Sequence, residues 1–302
     1  MSKLDNLRDF TGGQLAALIH HVGGIEAAKQ ILQGNVAVTL SEVSRKLFDK
    51  KGRGIPYNLK ASVCNPVGTY KLSVPDVSKE LFYEQAFIRA KEYRLINRGR
   101  HGMTFPDYLS VINLLVEKIG SDKSVANLLN GAWVPLIIPN MKVRDQGRTV
   151  RYLWELAGKS YMDKFPGHHF YCPRERDLDG KITISPGSRY DRLIASMAEA
   201  PVPAIYFIGS MVGFSIDAQR EFVQRLPEYI SLTGAIEHCV YTTMYPTDNP
   251  SRQYIGYDCS AIAWRDDDCS LCFQSWESTY ELDSKDYLRN PYGNCSGGLL
   301  VF

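Results

Sequence analysis

The chain lacks the sequence signatures that would assign it most directly. It has no GxGxxG, no GxxxxGK[ST] and no GxSxG, so the common dinucleotide, phosphate-loop and hydrolase signatures are absent. It has no second CxxC to complete a four-thiolate zinc site, and no repeat or low-complexity segment. It also has almost no net charge: Lys+Arg 35 against Asp+Glu 33 gives +2, which asks for no nucleic-acid partner globally. The longest weakly polar run, "VPAIYFIGSMVGF" (202–214), is too short to span a bilayer, and "MSKLDNLRDFTGG" lacks the apolar run of a signal peptide. A cytoplasmic protein with reduced thiols and no membrane contact is expected, because seven cysteines is an odd number without an export signal.

What is present is a folding chain of 302 residues with 44% apolar and 23% charged content, enough for one large or two ordinary domains. The spacing predicts two short helices over "TGGQLAALIHHV" and "GGIEAAKQILQGN", with Thr11 as a cap and Gly34 as a stop. This pair reads as a small packing module or, less well, a helix-turn-helix. A hairpin is expected from "NLKASVCN" and "TYKLSVP", then helices over 80–96, 105–120 and 124–131, and a buried strand "WVPLIIPN". A boundary is placed near 145, dividing a 1–145 α+β region of unassigned role from a 146–302 domain. Beyond it, strand "HHFYC", helix "SRYDRLIASMAEA", strand "VPAIYFIG", helix "IDAQREFVQRL", hairpin "SAIAWRDDDCSLCFQSW" and final strand "GGLLVF" complete an α+β fold.

The chemical candidates each have a plainer reading. Cys269 and Cys272 form a CxxC, but in a strand positions three apart face opposite sides, and three aspartates beside them disfavour a thiolate. His168, His169 and Cys172 do not have the spacing of a ligand set, and the adjacent His238 and Cys239 diverge on any regular element. The basic loops 45–54 and 94–102 could hold phosphate or nucleic acid, although solvated loops explain them as well. From Tyr257 onward, a regular apolar alternation of Ala261, Ala263, Leu271, Phe273, Leu299 and Val301 carries four of the seven cysteines among Asp, Ser, Tyr and Asn.

The order "LPEYISLTGAIEHCVYTTMY", "GYDCSAIAW", "DCSLCF", "GGLLVF" resembles the closing half of C-type lectin-like domains of the formylglycine-generating-enzyme type. It is also similar to the variable proteins of diversity-generating retroelements. The resemblance covers about 200–302 and implies an N-terminal helical or mixed region followed by a C-type lectin-like domain. In such proteins adenine-directed copying rewrites codons near the 3′ end. Codons of two adenines and a pyrimidine can become Asp, Ser, Tyr, Cys, Asn or Gly, but never Trp, Gln, Glu, Lys or Met. Trp264, Gln274, Trp276, Glu277, Glu281 and Lys285 would then be framework.

The implied activity is non-enzymatic binding of a protein ligand, with no cofactor and no metal. By residue type and outward direction, the variable part (about 257–295) would present Tyr257, Asp258, Cys259, Asp266, Asp267, Asp268, Cys269, Cys272, Ser275, Ser278, Thr279, Tyr280, Asp283, Tyr292, Asn294 and Cys295. Two departures stand out: "GGLLVF" differs from the usual "GFRLA"-like ending, and the "GGSW"-like turn is missing. A metal- or thiol-dependent enzyme using Cys269 and Cys272 is the alternative, and nucleic-acid binding through 45–54 and 94–102 is the second.

Overall fold

A computed structural model of the chain describes residues 11–36, 46–67, 78–96, 103–173, 177–246, 256–276 and 278–302. Contacts divide the chain into two compact units, Met1–Ser44 and Arg45–Phe302. The boundary expected near 145 is therefore corrected. The strand just before it pairs deep inside the second unit, so 45–145 cannot separate from the residues C-terminal to it.

In the first unit, α1 (Gly12–His21) starts at a capping box in which Thr11 and Gln14 satisfy each other's backbone N–H groups. Gly24, with φ of 92°, adopts the left-handed geometry that lets the chain enter α2 (Ile25–Leu32). This agrees with the helix pair expected from spacing.

The second unit is an α+β fold. Ser78 caps α3 (Lys79–Glu92), Thr104 caps α4 (Phe105–Ser121), and a 3-10 turn (Ala126–Asn130) leads into β1 (Trp133–Ile138). Asp145 caps α5 (Gln146–Lys164), which is followed by β2 (His169–Tyr171) and β3 (Ile182–Ile184). The order then runs α6 (Tyr190–Glu199), β4 (Val202–Val212), α7 (Ile216–Val223), β5 (Ile230–Leu232) and α8 (Ala235–Met244). The chain closes with β6 (Gly256–Asp258), β7 (Ile262–Trp264), β8 (Cys269–Trp276), β9 (Thr279–Asp286) and β10 (Cys295–Val301).

The main sheet has the order β1-β4-β10-β6-β8-β9-β2, with β5 also paired to β10. Strand β10 is central: antiparallel to β4 and β5, parallel to β6. Helix α8 is buried at all ten positions, and an aromatic cluster of Trp154, Tyr161, Phe170, Phe273 and Tyr280 fills the space between α5 and the sheet. Each such side chain removed from water contributes roughly 1.5–3 kcal/mol.

Residues 58–67 run without a strand apart from one bridge, Val63 to Phe214, and the second expected arm, 69–75, lies outside the described residues. One expected hairpin is corrected. The expected hairpin over 260–276 does not form because β7 pairs with β3 in a separate two-stranded sheet. The tight hairpin is instead β8 with β9, in continuous register from Cys269–Asp286 to Trp276–Thr279.

The glycines of "SGGLLVF" have a packing reason. A Cβ on Gly297 would stand 1.8 Å from the Gln219 Oε1, and one on Gly298 would stand 2.4 Å from the Tyr206 ring. Gly298→Ala is expected to destabilise the protein by about 2–4 kcal/mol through overpacking. Guanidinium unfolding measures this, and an unchanged midpoint would refute the close-packing account.

Candidate functional site

The period-two rule sorts the β8–β9 hairpin into two faces. Leu271, Phe273, Tyr280 and Leu282 turn to the core and are buried. On the other face, Cys272 stands opposite Asp283 and Gln274 opposite Glu281, while β6 brings Asp258 opposite Cys272. Parallel pairing sets Cys295 of β10 beside Gly256, where a Cβ would meet the Cys295 Sγ at 3.3 Å. The topology thus gathers Asp258, Cys272, Asp283, Lys285 and Cys295 on one sheet face.

Lys285 organises this face. Its Nζ donates to Asp258 Oδ1 at 2.7 Å, with the lysine side chain 10% exposed and the aspartate fully buried. Asp258 Oδ2 accepts from Gln219 Nε2 at 3.1 Å, and the ammonium lies 4.6 Å from the centre of the Tyr292 ring. Burial works against the lysine's charge, but the charge and hydrogen bond of Asp258, together with the neighbouring Cys295 and Cys272, hold the ammonium above its ordinary range.

The thiols here are kept protonated. Cys295 is pushed up to about 11, by burial and then by Asp258, while Lys285 pulls the other way. Cys272 is driven further in the same direction, again by burial first and Asp258 second. Cys269 donates to Asp286 Oδ1 at 3.2 Å and is pushed up to about 12 by burial, Asp286 and Asp266. Cys269 and Cys272 sit on opposite faces of β8, as their spacing in a strand requires. Among the described residues, no group of three or more His, Cys, Asp or Glu side chains is arranged to hold a metal ion.

A second polar cluster lies in the core. His238 Nδ1 is 2.9 Å from the Tyr206 hydroxyl and Nε2 is 2.6 Å from that of Tyr280. Burial depresses His238 to about 3, so the ring is neutral, with one hydroxyl donating to it and the other accepting. Glu237 accepts from Tyr190 at 2.6 Å and from the Gly234 N–H at 2.8 Å, and burial raises it to about 7. Both residues have every polar contact inside the fold and fix α8 against the sheet.

The expected variable residues separate into three groups. Tyr257, Asp258, Cys259, Cys272 and Tyr280 are buried, which corrects their expected display. Tyr257 and Tyr280 point into the aromatic core, Cys259 lies beneath β8, and Asp258 and Cys272 are covered on the face organised by Lys285. Cys269, Ser275, Ser278, Thr279, Asp283 and Cys295 are half-buried. Asp266, Asp267, Asp268, Tyr292 and Asn294 are exposed. Of the two basic loops, residues 46–54 form a turn ordered by Asp49, and 97–102 lie outside the described residues.

The exposed rim also contains residues that selection by residue type passes over. Tyr287 is 72% exposed, and Arg289 and Asn290 follow it in the loop 287–294 that leads to Tyr292, itself 42% exposed. The run "DYLRNPYGN" carries the signal, since Asn, Pro and Gly mark a loop around its tyrosines. This loop is braced where the Val67 N–H donates to the Gly293 carbonyl at 2.8 Å. No family model, curated protein or solved structure matches this chain.

The buried groups make two outcomes testable. Lys285→Met leaves Asp258 without its counter-charge and should cost about 3–5 kcal/mol, much of it regained in Asp258→Asn/Lys285→Met; equal losses in both, by urea unfolding, would contradict the pairing. Glu237, raised from 4.5 to about 7, contributes stability that is present below pH 4.5 and lost as pH rises towards 7. Glu237→Gln should flatten the stability profile across that window in a pH series of thermal melts, and an unchanged slope would count against a buried protonated carboxyl.

Proposed function

We propose that the chain is a non-enzymatic ligand-binding protein that presents the C-terminal rim to a protein ligand, as a retroelement-diversified variable protein on a C-type lectin-like scaffold. The observation carrying this reading is the exposed loop 287–294 between β9 and β10, which presents Tyr287, Arg289, Asn290, Tyr292 and Asn294. Tyrosine supplies large contact area with only two side-chain torsions to fix, and arginine and asparagine add directional hydrogen bonds. The turn Asp266–Asp268 adds a second exposed segment.

The chemistry of the sheet face weighs towards binding. A nucleophilic thiol needs its thiolate near neutral pH, yet Cys269, Cys272 and Cys295 are all shifted the other way. Lys285 is committed to Asp258, and Glu237 and His238 are committed to the core.

On this reading the exposed codons are the diversified ones. Sequencing the DNA flanking the 3′ end of the gene should find a near-identical repeat beside a reverse-transcriptase gene. Its mismatches should fall at adenines within the codons for Asp266, Asp267, Asp268, Tyr287, Tyr292 and Asn294. A flank without a repeat, or mismatches concentrated in the buried codons for Tyr257, Cys259 and Tyr280, would overturn the diversified reading. The binding reading further predicts slow labelling of all three thiols by iodoacetamide at pH 7, rising with pH towards 11; rapid labelling at neutral pH would reopen thiol catalysis.

A further inference from the structure

A second site lies away from the C-terminal rim, where a bulge interrupts β4. Met211 pairs with Gly297 and Phe207 with Leu299, so the three residues from Ile208 to Ser210 stand opposite Gly298 alone. Gly209 takes a left-handed φ of 76° within this bulge. A small open cleft forms there, lined by Lys51, Gly52 and Arg53 on one side, Gly131 and Ala132 on another, and the bulge itself.

Lys51 and Arg53 make the loop side of the cleft basic. Asp49 shapes the loop by accepting from the Lys51 and Arg53 N–H groups at 2.8 and 3.0 Å, and from Arg53 Nε and Nη2 at 2.9 and 2.7 Å. A guanidinium has five N–H donors, so those two bonds leave three for another acceptor. Lys51 is exposed, and its ammonium has no carboxylate partner among the described ion pairs. Ser210 is 4% exposed, and its buried Oγ has no hydrogen-bond partner. A buried hydroxyl left unbonded is destabilising, a cost that a ligand acceptor would remove.

Gly52 lets the loop come this close. Its φ is 75°, and a Cβ there would stand 2.4 Å from the Gly131 nitrogen. The backbone N–H groups of Gly52 and Gly131 are already bonded to Asp49 and Leu128, so they are not the recognition elements. The recognition elements are Lys51, the remaining Arg53 donors and Ser210. Such a set suits a compact group that is rich in acceptors, poor in donors and negatively charged.

We propose that the cleft between the Asp49–Arg53 loop and the β4 bulge binds a single phosphate-class oxyanion. Lys51 and Arg53 supply the charge, and the Ser210 hydroxyl donates from the cleft wall. The cleft is small, so a ligand larger than one such group would leave its remainder in solvent.

The test is a titration of the isotopically labelled full chain, followed by amide resonances, with inorganic phosphate, with phosphoserine, and with sodium chloride at matched ionic strength. Saturable shifts at Lys51–Arg53, Gly131 and Gly209–Ser210 are expected with phosphate and not with chloride. Tighter binding of phosphoserine would assign the site to a phosphate group on a larger molecule, and equal binding to the free ion. Lys51→Ala should weaken binding at least about tenfold. Ser210→Ala discriminates further: it should preserve or raise thermal stability by removing an unbonded hydroxyl, yet weaken phosphate binding. Shifts matched by chloride, no saturation, or undiminished affinity in both variants would each overturn the proposal.

Discussion

The close contact between backbone and side chain along β10 is the constraint on which the fold rests. This strand is flanked by β4 on one side and by β5 and β6 on the other, so its pairings join the two halves of the sheet. At Gly297 and Gly298 the chain gives up side chains so that Gln219 and Tyr206 can pack against the backbone. Tyr206 in turn reaches His238, and His238 reaches Tyr280 on the outer hairpin. One row of contacts thereby ties the last strand, the buried helix and the hairpin together, and the lack of a Cβ at two positions is what allows it.

Much of the helical structure is legible in the sequence because capping residues and three- and four-residue spacings act locally. Thr11, Ser78, Thr104 and Asp145 each begin a helix as their side-chain chemistry dictates. Strand partners are less legible. "SAIAWRDDDCSLCFQSW" looks like a hairpin, but β7 finds its partner in β3, about eighty residues earlier, and no local signal encodes that choice. The domain boundary is misplaced from sequence for the same reason: β1 belongs to the sheet through its pairing with β4, far along the chain.

At the candidate site, residue type is a weaker guide than depth. Asp258 and Cys272 are polar residues in an alternating strand, which reads as an outward face, yet segments elsewhere in the chain cover that face. Tyr257 and Tyr280 look like contact residues but belong to the aromatic core. The loop 287–294 is marked in the sequence by its Asn, Pro and Gly, but the exposure of Tyr287 and Tyr292 is set by the packing around it. The simplest geometric expectation holds: Cys269 and Cys272 sit on opposite faces of their strand, as period two demands.

The Asp258–Lys285 pair has a consequence for how this gene can change over generations. The two partners lie twenty-seven positions apart in sequence, on strands separated by β8, and neither charge can be lost alone without stranding the other in the interior. Their codons are therefore linked by fitness although not by proximity. A change at either partner persists only in company with its mate. Related chains should show this as correlated substitution at 258 and 285.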